Sequence, residues 1–271
     1  MIMRPLWLVV VAACAADAAY HGGGPGTAPD AATAPVASVV GFNPGESMSY
    51  EVTLGGIVAG EAAISAGQPG EWNGHHALIV RSRAATAGAV DLVKHVVDDA
   101  TTILDMDSGR PLQLDTLVEM DGKTTTASAT FTASKADITY SKEGEASRTQ
   151  HVDFGSEAVH DTHSAMAQIR GWHATAGATK SVFIVGGKRL WRVDMTYVGE
   201  ETIGSVLGNR KAVHLDGAGF RARANRTNET KTPLRTFSVW LSDDADRVPL
   251  KVVAHTELGD VTMTLTSYER K

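Results

Sequence analysis

The chain has 271 residues, of which 43% are hydrophobic and 21% are charged, and its formal net charge is −6. This composition is typical of a globular protein, and it excludes an intrinsically disordered chain and a bundle of membrane-spanning helices. The acidic balance argues against nucleic acid as the main partner, because nucleic-acid-binding proteins usually carry a basic excess.

The N-terminal segment is typical of an export signal. Residues 1–13 place a positive charge at Arg4 before an apolar run, which is too short to cross a bilayer because a spanning helix takes ~20 apolar residues. The string Val11-Ala12-Ala13-Cys14 at the end of this segment resembles the lipobox of bacterial lipoproteins. The resemblance implies that residues 1–13 are a lipoprotein signal peptide and that Cys14 is lipidated. The alternative is an ordinary secretory signal that is cut near Cys14.

Cys14 is the only cysteine, which excludes disulfides and Cys-based zinc sites within the chain. A lipid on Cys14 would anchor the protein in the cell envelope, because two or three acyl chains hold a protein at a membrane where one does not. Ala15 follows the cysteine, as in lipoproteins that are sent to the outer membrane. We therefore expect a protein that is anchored to the membrane on the periplasmic face of the outer membrane.

A second segment separates the signal from the folded part. Residues 14–40 are rich in alanine, glycine and proline and contain few large apolar side chains. Such a segment cannot offset the entropy that is lost on ordering, so it is predicted to be a flexible tether. The rest, 41–271, is long for an average domain but normal for one large antiparallel sheet or barrel. We therefore predict a single β domain over 41–271.

Alternation of apolar and polar residues predicts half-buried strands throughout this domain. The alternation is clearest in 47–54, 190–198 and 261–268. Weaker alternation predicts further strands at 61–66, 76–83, 101–106, 112–120, 124–133, 137–141, 181–185, 211–215, 220–224, 236–241 and 250–256. Turn signals between strands are Gly55-Gly56, Asp121-Gly122, Gly186-Gly187, Asp216-Gly217 and Gly259-Asp260. Many strands with short turns predict an all-β fold, a large antiparallel meander.

Two segments break the strand pattern. Residues 161–172 carry apolar side chains at helical spacing, and Asp161, Thr162 or Ser164 is able to cap a helix there. We predict that this one short central helix plugs or caps one side of the sheet. Residues 89–97 are also helix-periodic, although their β-branched side chains weaken the prediction of a helix.

Short motifs are distributed over nearly all of the domain, at 45–52, 55–60, 105–111, 164–170, 239–250 and 259–261. The most specific of them is Val239-Trp240-Leu241-Ser242-Asp243-Asp244-Ala245-Asp246-Arg247-Val248-Pro249-Leu250. Together they resemble the DUF3108 family, exported bacterial proteins of unknown function. Two segments depart from the family pattern, 89–97 and 160–163. The resemblance implies a curved antiparallel sheet that closes into a barrel or half-barrel, and it assigns no catalytic residue.

The histidines raise the question of a metal site. His151, His160, His163 and His173 lie close together in sequence, and the three-residue spacing of the middle pair would place them on one face of a helix. However, zinc usually takes three or four ligands, and no HExxH pattern occurs. His160 and His163 more simply straddle a loop–helix junction as surface or capping residues. We predict no metal site, no cofactor and no catalytic residue.

A second charged cluster contains Asp243, Asp244, Asp246 and Arg247. Paired carboxylates can perform acid–base chemistry when their environments push their pKa values apart. These aspartates lie between two predicted strands, next to Pro249, where aspartate side chains commonly bond to the backbone of a turn. The cluster is therefore interpreted as a turn.

Binding or structural roles remain as the predicted function. The first hypothesis is a non-enzymatic module whose curved sheet holds a lipid, acyl chain or glycan. Trp191, Met195 and Tyr197 are candidates to line its concave face, although the same residues are more simply core. The alternative is a scaffold or assembly component that docks onto a protein partner in an envelope complex. A metal-dependent hydrolase that uses His160 and His163 is a third hypothesis.

Overall fold

The structure is a computed structural model that describes residues 41–155, 158–187, 189–257 and 259–271. The predicted signal peptide, Cys14 and the tether at 14–40 lie outside the described residues. Neither helix of the described part is long and apolar enough to cross a membrane.

The described residues form two short helices and a large set of strands. The helices are α1 (Gly88–Val93) and α2 (Thr162–Arg170). The strands are β1 (Glu46–Leu54), β2 (Ile57–Ala66), β3 (Gly70–Trp72), β4 (His75–Thr86), β5 (Val96–Asp105), β6 (Pro111–Met120), β7 (Lys123–Phe131), β8 (Lys135–Lys142), β9 (Arg148–Asp153), β10 (Thr179–Gly186), β11 (Arg189–Ser205), β12 (Gly208–Ala222), β13 (Arg235–Ser242), β14 (Pro249–Thr256) and β15 (Gly259–Arg270). The predicted all-β fold is confirmed.

All of these strands belong to one antiparallel sheet. The order across it is β10-β11-β12-β13-β14-β15-β1-β2-β4-β5-β6-β7-β8-β9, and β3 pairs with β4 beside this path. Neighbours in the sheet are nearly all neighbours in sequence, which is the predicted meander. One exception is the pairing of β2 with β4, since β3 lies beside this path. The other is the pairing of β1 with β15, which joins the first and last strands of the domain in the middle of the sheet.

The sheet curves into a nearly closed barrel. One row of residues, Thr102, Leu114, Ala129 and Ile138, runs straight across β5 to β8 on the face that looks toward α2. At the other end of the sheet, Val185, Leu190 and Ala222 form a similar row across β10 to β12, and they pack against Ala129 and Ile138.

The two ends of the sheet overlap in this region. Val193 lies three residues after Leu190 and therefore points to the opposite face of β11, where it packs with Ile169 and Trp172 at the end of α2. The inner face of β7 and β8 thus lies on the outer face of β10 to β12. A parallel bridge reinforces the closure, because the backbone N–H of His160 donates to Phe183 O and its carbonyl accepts from Val185 N.

The predicted central helix lies inside the barrel as α2. It begins where Asp161 caps it, since the Asp161 carboxylate accepts from Ser164 N at 2.8 Å and the Ser164 hydroxyl accepts from Asp161 N at 3.0 Å. Its buried face includes Ala165 and Ala167, and its last residue, Arg170, is also buried. The prediction of a helix that plugs the sheet is confirmed, with the cap at one of the three predicted positions.

Two local predictions need correction. The helix-periodic segment 89–97 is split, because α1 ends at Val93 and β5 already begins at Val96. The predicted turn at Asp216-Gly217 is wrong, since both residues lie inside the long strand β12. A Cβ on Gly217 would come within 2.3 Å of the Phe237 ring. Glycine is therefore required there for a close approach between strands rather than for a turn.

Candidate functional site

An apolar cavity of about 150 Å³ lies between α2 and the inner face of the sheet. It is lined by Tyr50, Ile64, Thr162, Ala165, Met166, Ile169, Arg170, Ile184, Val193, Phe237, Val239, Leu241, Pro249, Val252 and Met263. Apart from the side chains of Thr162 and Arg170 and the Tyr50 hydroxyl, these groups offer a ligand no hydrogen bond. We call this space the apolar cavity.

A second, smaller cavity of about 90 Å³ lies at the start of α2. Its lining combines small apolar side chains of β5 to β8 with Asp98, Thr116, Thr162 and His163. Thr162 lines both cavities, so the two spaces lie side by side at the first turn of α2. We call the second space the polar cavity.

A buried hydrogen-bond network holds His163 beside the polar cavity. The Thr102 hydroxyl donates a hydrogen bond to the Asp161 carboxylate, which also caps α2. The same hydroxyl oxygen lies 2.6 Å from His163 Nδ1. Because a hydroxyl has only one proton to give, Nδ1 must be the donor to Thr102, and this assigns the tautomer of the ring. The other ring nitrogen, Nε2, is therefore an acceptor.

That acceptor has no partner among the described residues, although His163 is 0% exposed. Burial lowers the pKa of the His163 imidazole, and the charge of Asp161 opposes this shift only partly. The ring is therefore neutral at physiological pH, and its Nε2 lone pair remains free to accept a hydrogen bond.

Asp98 brings a second unusual group to the polar cavity. It lies on the same face of β5 as Ala100 and Thr102, because every second residue of a strand shares a face. Burial, reinforced by the charge of neighbouring Asp99, raises the pKa of Asp98 to about 7. No other described residue forms a hydrogen bond or ion pair with its carboxyl group. Asp98 is consequently protonated for a substantial fraction of the time near neutral pH.

The far end of α2 is fixed by a buried ion pair. Arg170 donates from both terminal nitrogens to the Glu46 carboxylate, at 2.5 and 2.9 Å, and both side chains are fully buried. Arg170 and Arg247 also exchange hydrogen bonds with each other's backbone carbonyls. The bidentate contact joins the helix to β1, and the bonds with Arg247 join it to the loop before β14, so the end of α2 that lines the apolar cavity is held at two places.

The chain resembles known proteins in sequence and in fold. The model of a protein family of unknown function, DUF3108, matches residues 49–266. The chain belongs to the DUF3108 family. No curated protein matches it. Among solved structures, this DUF3108 chain is similar to the β-barrel-like protein of domain of unknown function DUF1849 from Brucella abortus, with a TM-score of 0.55 and 12% identity over 83% of this chain and 97% of that chain.

Two further structures are similar over comparable lengths. One, from Bacteroides fragilis, is described as exported with a YmcC-like fold; its TM-score is 0.35, at 10% identity over 84% of this chain and 97% of that chain. The other, described as a lipoprotein from Parabacteroides distasonis, has a TM-score of 0.36 at 8% identity over 85% of this chain and 98% of that chain. The likeness to the Brucella protein shows that the DUF3108 domain shares a barrel-like fold with it.

The DUF3108 fold brings only some of the predicted candidates to the site. His160 and His163 straddle the start of α2 as expected, but both are buried, so their interpretation as surface residues is wrong. His151 lies on an exposed part of β9 and contacts Asp137. Across the described ranges no group of three or more His, Cys, Asp and Glu side chains is arranged to hold a metal ion.

The acidic cluster of the DUF3108 motif forms the predicted turn. Asp244 accepts hydrogen bonds from the Ser242 hydroxyl at 2.7 Å and from the backbone N–H of Arg247 at 3.2 Å.

Of the three candidates for a concave face, Met195 and Tyr197 are buried core, and neither they nor Trp191 lines the two cavities.

Sequence reasoning missed Asp98 and Thr102. Asp98 lies between the helix-periodic segment 89–97 and the predicted strand 101–106, and β5 begins earlier than predicted, at Val96, so its place in a strand was not foreseen. Nothing local marks Thr102, because its partners lie about sixty residues away in sequence.

Proposed function

We propose that this protein is an exported cell-envelope lipoprotein that binds the end of an acyl chain inside its barrel. The observation that supports this most directly is the apolar cavity, which lies between the sheet and α2 and is lined almost entirely by apolar side chains. Ligand sites are typically concave and apolar with a few polar groups at one end, and the apolar and polar cavities together have this character.

The size of the space narrows the ligand class. A volume of about 150 Å³ is close to that of an engineered cavity of roughly 150 Å³ that binds benzene, and it is below the roughly 300–1,000 Å³ of sites for drug-sized molecules. The end of an acyl chain fits such a space. A glycan is disfavoured, because sugar hydroxyls would lose their hydrogen bonds to water against an apolar lining.

Filling the cavity tests the proposal. Ala165 on α2 is buried and lines the apolar cavity, so Ala165→Met is expected to occupy the space with its own side chain. Ala146→Met adds the same side chain at an exposed position of the β8–β9 hairpin and serves as the control. Native mass spectrometry of the protein purified from its host is expected to show a bound lipid-sized mass in the wild type and the control, and none in Ala165→Met. Absence of any bound mass in the wild type would refute the proposal.

The membrane anchor is a separate element of the proposal. It rests on the lipobox-like sequence at Cys14. Cells grown with labelled palmitate are expected to label the wild-type protein and to leave Cys14→Ser unlabelled and released from membranes. Equal labelling of both proteins would show that the lipid is elsewhere, and no labelling of either would favour an ordinary secretory signal.

A patch at one end of the barrel favours a second candidate function, docking onto an envelope protein. α1 contacts β2, and Leu92 and Val93 on this helix are 90% and 88% exposed, beside Ile57 and Val58 of the β1–β2 hairpin, which are also exposed. Exposed apolar side chains that cluster in this way often mark interaction surfaces. Replacing Leu92 and Val93 by serine should abolish co-purification of an envelope complex if docking is the function, while the bound lipid mass is retained.

A further inference from the structure

The buried acceptor of His163 points to the chemistry of the ligand's head group. Its ring is oriented by the Thr102–Asp161 network so that Nδ1 donates and Nε2 accepts. A buried acceptor without a partner destabilises a protein, so a ligand group that donates a hydrogen bond to it would bind favourably. Nε2 of His163 is such an atom, and its ring lies against a cavity large enough to admit a small polar group.

The charges around the polar cavity limit which group can enter. The described residues that line it include one carboxyl group, Asp98, and no arginine or lysine. A carboxylate or phosphate would meet the acceptor lone pair of His163 and, whenever Asp98 is ionised, a like charge, without a compensating cation from the described lining residues, in a site of low dielectric. A cationic amine would lose its hydration in this cavity and would have to keep Asp98 ionised, and burial penalises both charges. An uncharged group that donates a hydrogen bond meets none of these penalties.

Thr162, on the first turn of α2, borders both cavities, so a molecule that spans this turn would contact both. We propose that His163 Nε2 accepts a hydrogen bond from the hydroxyl group of a neutral amphiphile whose apolar chain fills the apolar cavity. This inference rests on the proposed function and specifies its ligand as an alcohol-type lipid, in place of a free fatty acid or a phospholipid. His163 is the residue that determines this specificity, and Thr102 and Asp161 position its ring.

Three probes of equal chain length test the proposal on the purified protein: 1-octanol, octane and octanoate. The key quantity is the ratio of octanol to octane affinity, because the chain is common to both and only the hydroxyl differs. We expect this ratio to fall about tenfold in His163→Phe, which removes one hydrogen bond but keeps an aromatic ring. The control is His151→Phe, the same substitution at an exposed histidine, and its ratio should equal that of the wild type. Octanoate is expected to bind more weakly than octanol.

A spectroscopic measurement on the wild type avoids dependence on the variant's folding. In long-range proton–nitrogen correlation spectra, the His163 Nε2 resonance is expected to shift toward that of a hydrogen-bonded acceptor when 1-octanol is added. Octane should leave it unshifted. This result would support the proposal even if His163→Phe failed to fold.

A failure of the proposed function and a failure of the hydroxyl contact give different binding results. If the wild type binds neither octane nor octanol, the proposed function is wrong and this inference falls with it. If both bind but the ratio is the same in His163→Phe, or the Nε2 resonance does not respond to octanol, then the acyl-binding proposal stands and the hydroxyl contact is refuted. Octanoate binding as tight as that of octanol would refute the neutral head group.

Discussion

The strongest quantitative prediction concerns the substitution Asp98→Asn. Burial raises the pKa of Asp98 from 3.8 to about 7 in the folded protein. Between these values the unfolded chain releases its proton while the folded chain keeps it, so the wild type loses stability as the pH rises from about 4 to about 7. The shift is roughly 3 units at about 1.36 kcal/mol each, so by pH 8 the loss approaches ~4 kcal/mol. Asparagine has the shape of aspartate and cannot ionise, so the variant avoids this loss.

Urea unfolding at a series of pH values measures the effect. Asp98→Asn should match the wild type at pH 4 and exceed it increasingly above pH 5, with a melting temperature at pH 8 higher by roughly 8–16 °C for a domain of this size. Asp107→Asn is the control, since the Asp107 side chain is 82% exposed, and it should follow the wild type at every pH. A constant difference between Asp98→Asn and the wild type from pH 4 to pH 8 would refute the reasoning.

Three further substitutions test other parts of the structure. Burial lowers the pKa of His160 to about 4, so the wild type loses stability as the pH falls below 6.5. His160→Gln cannot take up this proton, so the drop in its free energy of unfolding between pH 7.5 and pH 4 should be smaller than that of the wild type by ~3 kcal/mol in urea unfolding. Arg170→Met leaves the Glu46 carboxylate buried without its cation and should lower the free energy of unfolding by about 3–5 kcal/mol. In a double-mutant cycle, adding Glu46→Gln should recover part of that loss. Gly217→Ala places a methyl group against the Phe237 ring and should cost about 1–3 kcal/mol by thermal unfolding, with relief when Phe237→Leu is added.

The sequence was a good guide to the fold because a sheet of hairpins is specified locally. Most strands are marked by their own alternation and several turns by a glycine, so 47–54 and 261–268 could be assigned separately, whereas β3 and β9 were not predicted. Their pairing with each other is not local, and no pattern indicated it. The error at Asp216-Gly217 has a similar origin, because glycine has two uses and only the position of Phe237 on the next strand decides between them.

The candidate site was less predictable than the fold. The cap at Asp161 follows from a local rule, and the helix after it was correctly placed. However, burial of His163 and the raised pKa of Asp98 depend on strands that approach α2 from sixty or more residues away. Histidines are often exposed, so the sequence favoured a surface position, and tertiary packing overrode that preference.

The pairing of β1 with β15 has a consequence for how the protein is made. Without β15, the sheet separates into two ladders of hairpins, one with β1 and the other with β14 as an unpaired edge. β15 follows all the other strands of the domain in sequence, so it is synthesised after them and, if the chain is exported as proposed, crosses the inner membrane after them. Until it arrives, two open edges are available for aggregation, which would make this a natural substrate for chaperones that bind extended segments.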